Sequence, residues 1–200
     1  MKMCLRALCA VLPLVVLAAQ GARAQVVAPT DWYGTLGYSA LDGRQVDLSA
    51  ITGRVGARFG EYFGLEGEVS LGVNHDDFIY VPSCGGPICA ANNIAIFISN
   101  ARLNNAEGLY AVGYLPLTPD IDLFARAGYA YSDYSAAHFL SSGFSQQSFN
   151  YGAGGQFFFD GVDGIRFDYT RQDVMDEDSV GRQAVGRDAN VWSVSFVRRF

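Results

Sequence analysis

The sequence predicts an all-β chain, an eight-stranded antiparallel up-and-down transmembrane β-barrel. Three observations carry that expectation. Apolar residues alternate with small or polar ones in runs of about ten residues, the length a tilted strand needs to cross a bilayer. The links between these runs alternate between short and long. The flank opposite the apolar one gathers arginine, glutamate and aspartate in nearly balanced numbers.

The first 24 residues are expected to be a cleaved secretory signal. Lys2 and Arg6 form a positive start, Ala7 to Ala19 is apolar, and Ala22-Arg23-Ala24 fits a small-x-small cleavage site. Residues 25–200 are then one barrel domain, and no later stretch approaches the 18 or more apolar residues of a membrane helix. Membrane residence therefore requires a barrel, the other fold that satisfies its own backbone in hydrocarbon. Losing Lys2, Arg6 and Arg23 reduces 14 basic residues to 11, all arginine, against 20 acidic ones, a formal charge of −9. That balance argues against a nucleic-acid partner, which demands basic patches.

Reading for period two along the mature chain gives the strands in order. The first, Trp32 to Leu41, sets Trp32, Gly34, Leu36, Tyr38 and Ala40 against Tyr33, Thr35, Gly37 and Ser39. In the second, Ala50 to Gly60, Ile51, Val55 and Phe59 oppose Thr52, Arg54 and Arg58. The third, Phe63 to Asn74, turns Leu65, Val69, Leu71 and Val73 away from Glu66, Glu68 and Ser70. For the fourth, Glu107 to Leu115, the expectation is Tyr110, Val112 and Tyr114 facing outward, which keeps Glu107 inside. The fifth, Asp122 to Tyr134, places Phe124 and Arg126 opposite Leu123, Tyr129 and Tyr131. The sixth, Ser148 to Phe159, opposes Tyr151, Phe157 and Phe159 to Asn150 and Gln156. The seventh, Ile165 to Gln172, sets Phe167 and Tyr169 against Arg166, Asp168 and Thr170. The eighth runs from Trp192 to the terminal Phe200, with Val194 and Phe196 outward and Ser193, Ser195, Val197 and Arg199 inward.

Links two, four and six, Gly60 to Phe63, Pro116 to Ile121 and Asp160 to Gly164, are short and rich in Gly, Pro or Asp, whereas links one, three, five and seven read as longer. Short turns on one rim and long loops on the other are the outer-membrane arrangement, with the long loops outside the cell. An eight-stranded interior is only wide enough for side chains to fill it, so charges inside must pair. The expected lumen network is Arg54, Arg58, Arg126, Arg166 and Arg199 against Glu66, Glu68, Glu107 and Asp168. The turn at Gly60 to Phe63 is expected to put Arg58 beside Glu66, with Arg54 and Glu68 on the next diagonals.

Cys84 and Cys89, in Ser-Cys-Gly-Gly-Pro-Ile-Cys-Ala, are the only cysteines left after the signal, and in an exported chain they are expected to form a loop disulfide. A metal site would require two more ligands, and the two histidines, His75 and His138, are far apart, so no metal and no cofactor are expected. Gly152-Ala-Gly-Gly155 lies inside an aromatic strand and precedes no helix, unlike a phosphate loop. The acidic run from Asp173 to Asp178 lacks calcium-loop ligands at Val180 and Arg187 and reads as a solvated loop.

Asp31-Trp-Tyr-Gly-Thr-Leu-Gly-Tyr38, Gly60-Glu-Tyr-Phe-Gly-Leu-Glu-Gly-Glu68, Phe124-Ala-Arg-Ala-Gly-Tyr129, Tyr151-Gly-Ala-Gly-Gly155 and the terminal Phe200 span nearly the whole mature chain. In these the chain resembles the small outer-membrane β-barrels, the opacity-type adhesins and the OmpA and OmpX type barrels. The resemblance implies a bacterial outer-membrane location, contact with membrane lipid and lipopolysaccharide, and an assembly signal at Trp192, Phe196 and Phe200 read by the outer-membrane assembly machinery. Arg198 departs from it, because members usually carry an aromatic two residues before the end.

For activity, the expectation is a non-enzymatic surface protein whose long loops serve adhesion, an extracellular ligand or envelope integrity. Phe78-Ile-Tyr-Val81 and Ile94-Ala-Ile-Phe-Ile98 are expected to extend a hairpin above the membrane with the Cys84 to Cys89 loop at its tip. One alternative is a narrow solute or ion channel along Arg54, Arg58 and Arg126. Another is a lipid A-modifying enzyme using His138, but Leu140 stands where a lipid A deacylase has its serine and Ser141 falls one residue late.

Overall fold

The computed structural model describes residues 31–80, 97–137, 143–175 and 184–200. The expected signal segment, Cys84, Cys89, His138 and Ser141 lie outside these. Nine strands follow in order: β1 (Asp31–Asp42), β2 (Asp47–Phe59), β3 (Phe63–Gly72), β4 (Asp76–Tyr80), β5 (Phe97–Thr118), β6 (Ile121–Ala137), β7 (Phe144–Phe158), β8 (Asp163–Val174) and β9 (Asp188–Arg199). Every pairing in the sheet is antiparallel. β3 and β4 both pair with β5, so they form one stave interrupted between Gly72 and Asp76. β1 pairs with β9, and the ring closes as eight up-and-down staves with no free edge. Closure is what hydrocarbon demands, since an unpaired strand edge has no water to satisfy its N–H and C=O groups.

The ladder fixes the barrel's width. From Val191, perpendicular partners run through Thr170, Gly152, Arg126, Val112, Gly64 and Arg58 to Asp31, yet the direct partner of Val191 on β1 is Leu41. One circuit therefore advances ten residues. A ten-residue stagger over eight strands tilts them by about 40°, and ten tilted residues span about 25 Å of hydrocarbon.

The sequence pattern placed all eight staves, but it ended several too early. Link one was expected to be long, whereas β1 and β2 continue to Asp42 and Asp47, leaving only Gly43 to Val46 between them. Leu41 and Leu48 keep the inward alternation going after the outward positions turn polar at Asp42 and Asp47. The strands simply rise above the lipid, where an outward carboxylate costs nothing. β5 does the same over 22 residues, and its upper end, Phe97 to Ala101, takes β4 as partner. That pairing joins Phe78 to Tyr80 with Phe97 and Ile98 of the expected hairpin, whose remaining residues, 81 and 94–96, and tip lie outside the described residues.

A second correction concerns the facing of β5. Tyr110, Val112 and Tyr114 point inward and are buried, while Glu107 faces outward next to Val69 and Tyr131. A register shift between Leu103 and Asn105 changes the phase of the upper strand. Below it, Leu109, Ala111, Gly113 and Leu115 supply the apolar flank, and the tyrosine hydroxyls reach the charged interior.

Short turns close the lower rim. Gly60 and Gly161 occupy positive φ values of 69° and 79°, which L residues rarely adopt. In the β7–β8 turn, Asp160 accepts backbone N–H bonds from Asp163 at 2.7 Å and Val162 at 3.0 Å, which hold its carboxyl below the usual range.

Outside, Leu36, Val55, Leu65, Leu109, Leu123, Phe167 and Val194 form an apolar waist. Tyr38, Tyr129, Tyr151 and Trp192 ring its upper edge, and Trp32, Phe63, Phe157, Phe159 and Phe200 its lower edge. Such girdles mark the two interfaces of a membrane barrel. Replacing Val55, at mid-height, with Arg should cost about 2–4 kcal/mol and Ser145→Arg, above the upper girdle, about 0–1 kcal/mol, read by urea unfolding in lipid vesicles.

Candidate functional site

Strand parity delivers the functional side chains to the lumen, where they stack in layers. The middle layer holds three guanidiniums and three carboxylates. Arg166 donates to both oxygens of Glu66, at 2.7 and 3.3 Å. Arg126 Nη1 donates to Glu66 and Glu68, each at 2.8 Å, and its Nε and Nη2 reach Thr170 Oγ1. Arg54 donates through Nε to Glu68 at 2.6 Å and grips both oxygens of Asp168 at 3.2 Å. Arg166 Nε lies 3.6 Å from Asp168. The formal charges cancel.

Tyrosines complete the layer. Tyr114 donates to Tyr33, and Tyr33 to Glu66, each at 2.8 Å; Asn150 donates to Tyr110 at 2.9 Å, and Tyr110 to Glu68 at 3.3 Å. The rings also stack on cations, with Arg126 over Tyr110 at 4.3 Å and Arg166 over Phe124 at 3.9 Å. Lumen glycines make room for these rings: a Cβ on Gly56 would fall 2.1 Å from Tyr33.

Below, Asp122 Oδ2 accepts from Arg58 at 3.0 Å and from Arg199 and Gln156 at 2.9 Å. Above, hydroxyls link around the wall from Ser70 to Thr52 to Ser39 to Ser193, each step 2.8 Å. The outer mouth is apolar. Leu41, Leu48, Ala50, Leu103, Tyr134 and Phe144 meet Phe78 from β4 and Val46, Ala184 and Val185 from the connections. Arg44 N–H and Gln45 N–H bond to the carbonyls of Val185 and Ala184, clasping two connections together over the mouth. Between plug and ion cluster remains a cavity of about 40 Å³, room for a few waters.

Of the expected lumen network, Arg54, Arg58, Arg126, Arg166, Arg199, Glu66, Glu68 and Asp168 are inside. Glu107 is not. Arg58 is also not beside Glu66, because the β2–β3 register pairs Arg58 with Gly64, Gly56 with Glu66 and Arg54 with Glu68. Arg58 turns down to Asp122 instead. Asp122 escaped the sequence reading although it lies two residues before Phe124 and four before Arg126, the parity that marks the inward face. Trp192, Phe196 and Phe200 face outward, and Phe200 N–H bonds to the Trp32 carbonyl at 2.8 Å, tying the last residue to the first strand.

A family model for the outer membrane protein beta-barrel domain matches residues 8–200. The fold is similar to that of OprG from Pseudomonas aeruginosa, with a TM-score of 0.56 and 10% identity over 86% of this chain and 96% of that one. It is likewise similar to Ail, the attachment invasion locus protein of Yersinia pestis, solved with the heparin analogue sucrose octasulfate. There the TM-score is 0.54 and the identity 13%, over 85% of this chain and 98% of that one. No curated protein matches the chain in sequence.

Glu66→Gln should destabilise the folded barrel by about 3–5 kcal/mol, because Arg126 and Arg166 keep their buried charges without the carboxylate they share. Glu107→Gln, on the outer surface, should change stability by less than about 0.5 kcal/mol. Unfolding midpoints in lipid vesicles check both.

Proposed function

The chain belongs to the outer membrane protein beta-barrel domain family of the bacterial outer membrane, and from that premise we propose a non-enzymatic, non-conducting surface protein. Its working parts are the outer surface and the connections outside the cell, which contact lipopolysaccharide, an extracellular ligand or neighbouring cells. The filled lumen carries this reading. Three guanidiniums and three carboxylates pair with one another at mid-height, and an apolar plug sits over them. An ion entering would have to break paired charges in a space about the size of a few waters. Open aqueous lumens belong to barrels of about 16 strands or more.

Within this reading, the segment between β4 and β5 presents the recognition surface, stapled by a Cys84–Cys89 disulfide. Trp192, Phe196 and Phe200 serve as the assembly signal, and the signal peptide directs export. A polyanion has precedent as an extracellular partner in this fold, since Ail was solved with a heparin analogue.

Two measurements test the proposal. The folded protein in planar bilayers should give no stepwise conductance, and stepwise currents would overturn the closed lumen. Replacing residues 81–96 by Gly-Gly should lower cell attachment or the envelope's resistance to detergent while heat-dependent gel mobility is retained; no change in either property would overturn the role given to the loop.

A further inference from the structure

A second, smaller cavity of about 10 Å³ lies in the lumen, and its lining joins the two ion layers: Tyr33 and Tyr114 come from the middle one, and Arg58, Arg199 and Gln156 from the one below, with Asp31 beside them. A volume of about 10–15 Å³ is what a single water requires. Gln156 brings an unmet bond to this space. Its Nε2 donates to Asp122 at 2.9 Å, whereas its Oε1 has no hydrogen-bond partner among the described residues, on a residue only 6% exposed. A buried carbonyl oxygen left so forfeits a bond that it makes to solvent in the unfolded chain.

The lining decides what the occupant can be. Tyr114 spends its one proton on Tyr33, 2.8 Å away, and a hydroxyl oxygen that has donated can still accept. Arg199 gives Nη2 to Asp122 at 2.9 Å, and a guanidinium carries several further N–H donors. Acceptors and donors therefore meet at one small space. A cation would suit the Gln156 and Tyr114 oxygens but would stand against the guanidiniums of Arg58 and Arg199. An anion would suit the guanidiniums but would face the Gln156 carbonyl oxygen, and both positive charges already pair with Asp122. Asp31, the direct cross-strand partner of Arg58, adds a second carboxylate. A neutral molecule that donates and accepts satisfies every group.

We propose that this cavity is the binding site of one structural water, which donates to Gln156 Oε1 and Tyr114 Oη and accepts an N–H from Arg199. The water makes the two ion layers one network. On its lower side Gln156 Nε2 holds Asp122, which Arg58 and Arg199 share; on its upper side Tyr114 donates to Tyr33 and Tyr33 to Glu66, each at 2.8 Å. An unbroken chain of hydrogen bonds then runs from the carboxylate at the lower mouth to the carboxylate at mid-height. Internal waters that complete such chains typically make about three hydrogen bonds, the number found for this one. The inference goes beyond the proposed function and holds whatever the loops outside the cell bind.

A crystal structure of the folded, detergent-solubilised barrel, at a resolution that shows ordered waters, tests the site directly. It should show one density peak at hydrogen-bond distance, about 2.6–3.2 Å, from both Gln156 Oε1 and Tyr114 Oη. Gln156→Met replaces the amide by an apolar side chain of similar length, and the peak should vanish while the Tyr114 to Tyr33 and Tyr33 to Glu66 bonds persist. Heat-dependent gel mobility verifies that the variant is folded. Solid-state NMR of both proteins in lipid vesicles gives an independent reading, with magnetisation transfer from water to the Tyr114 ring present in the parent and lost in the variant. An empty cavity in the parent would overturn the proposal, as would an undiminished peak or equal transfer in the variant. Crystals grown in rubidium bromide separate water from an ion, since an anomalous peak in the cavity would assign the site to rubidium or bromide and overturn it equally.

Discussion

Closing eight strands on themselves with a stagger of ten residues is the constraint from which the rest of this molecule follows. Hydrocarbon leaves no edge strand a partner, so β1 must meet β9, and the register of that meeting sets the tilt and the bore. The bore admits one layer of side chains from each wall. Any charge placed there must be answered at hydrogen-bond distance from across the lumen. Glu66 shows the rule most fully, taking Arg126, Arg166 and Tyr33 from three other strands.

The same constraint explains the choice of cation. A guanidinium can span two carboxylates and still lie flat on a ring, as Arg126 does with Glu66, Glu68 and Tyr110. Lysine, a point charge on a flexible stem, does neither, and the sequence has none after Lys2. The ion cluster joins the walls at mid-height, a chain of four hydroxyls lines part of the wall above, and apolar side chains gather at the outer mouth.

Most of this architecture was legible in the sequence, because period-two alternation in a membrane barrel is written twice, as grease on one flank and countercharge on the other. Where both signals were present, as at Arg54, Glu66, Arg126 and Asp168, the facing was read correctly. β5 failed because its lower half offers apolar side chains on both flanks, and the single charge at Glu107 was taken as the inward marker. That carboxylate instead sits where the wall leaves the lipid, and Tyr110 and Tyr114 enter the lumen through hydroxyls that a hydropathy pattern counts as grease. Strand ends at Asp42 and Asp47 were missed for a related reason: the lipid stops before the strand does. The pairing of Arg58 with Asp122 depends on contacts across the lumen between distant strands, which no local spacing encodes.

The balance of charges and the apolar cluster at the outer mouth both presuppose that the first and last strands meet in one register. That meeting can be tested covalently. In a variant with Cys84 and Cys89 replaced by serine, cysteines in place of Leu36 and Phe196, direct partners on β1 and β9, should form an intramolecular disulfide on mild oxidation of the protein folded in lipid. Failure to cross-link, or cross-links only between separate chains, would contradict a closed barrel and the account built on it.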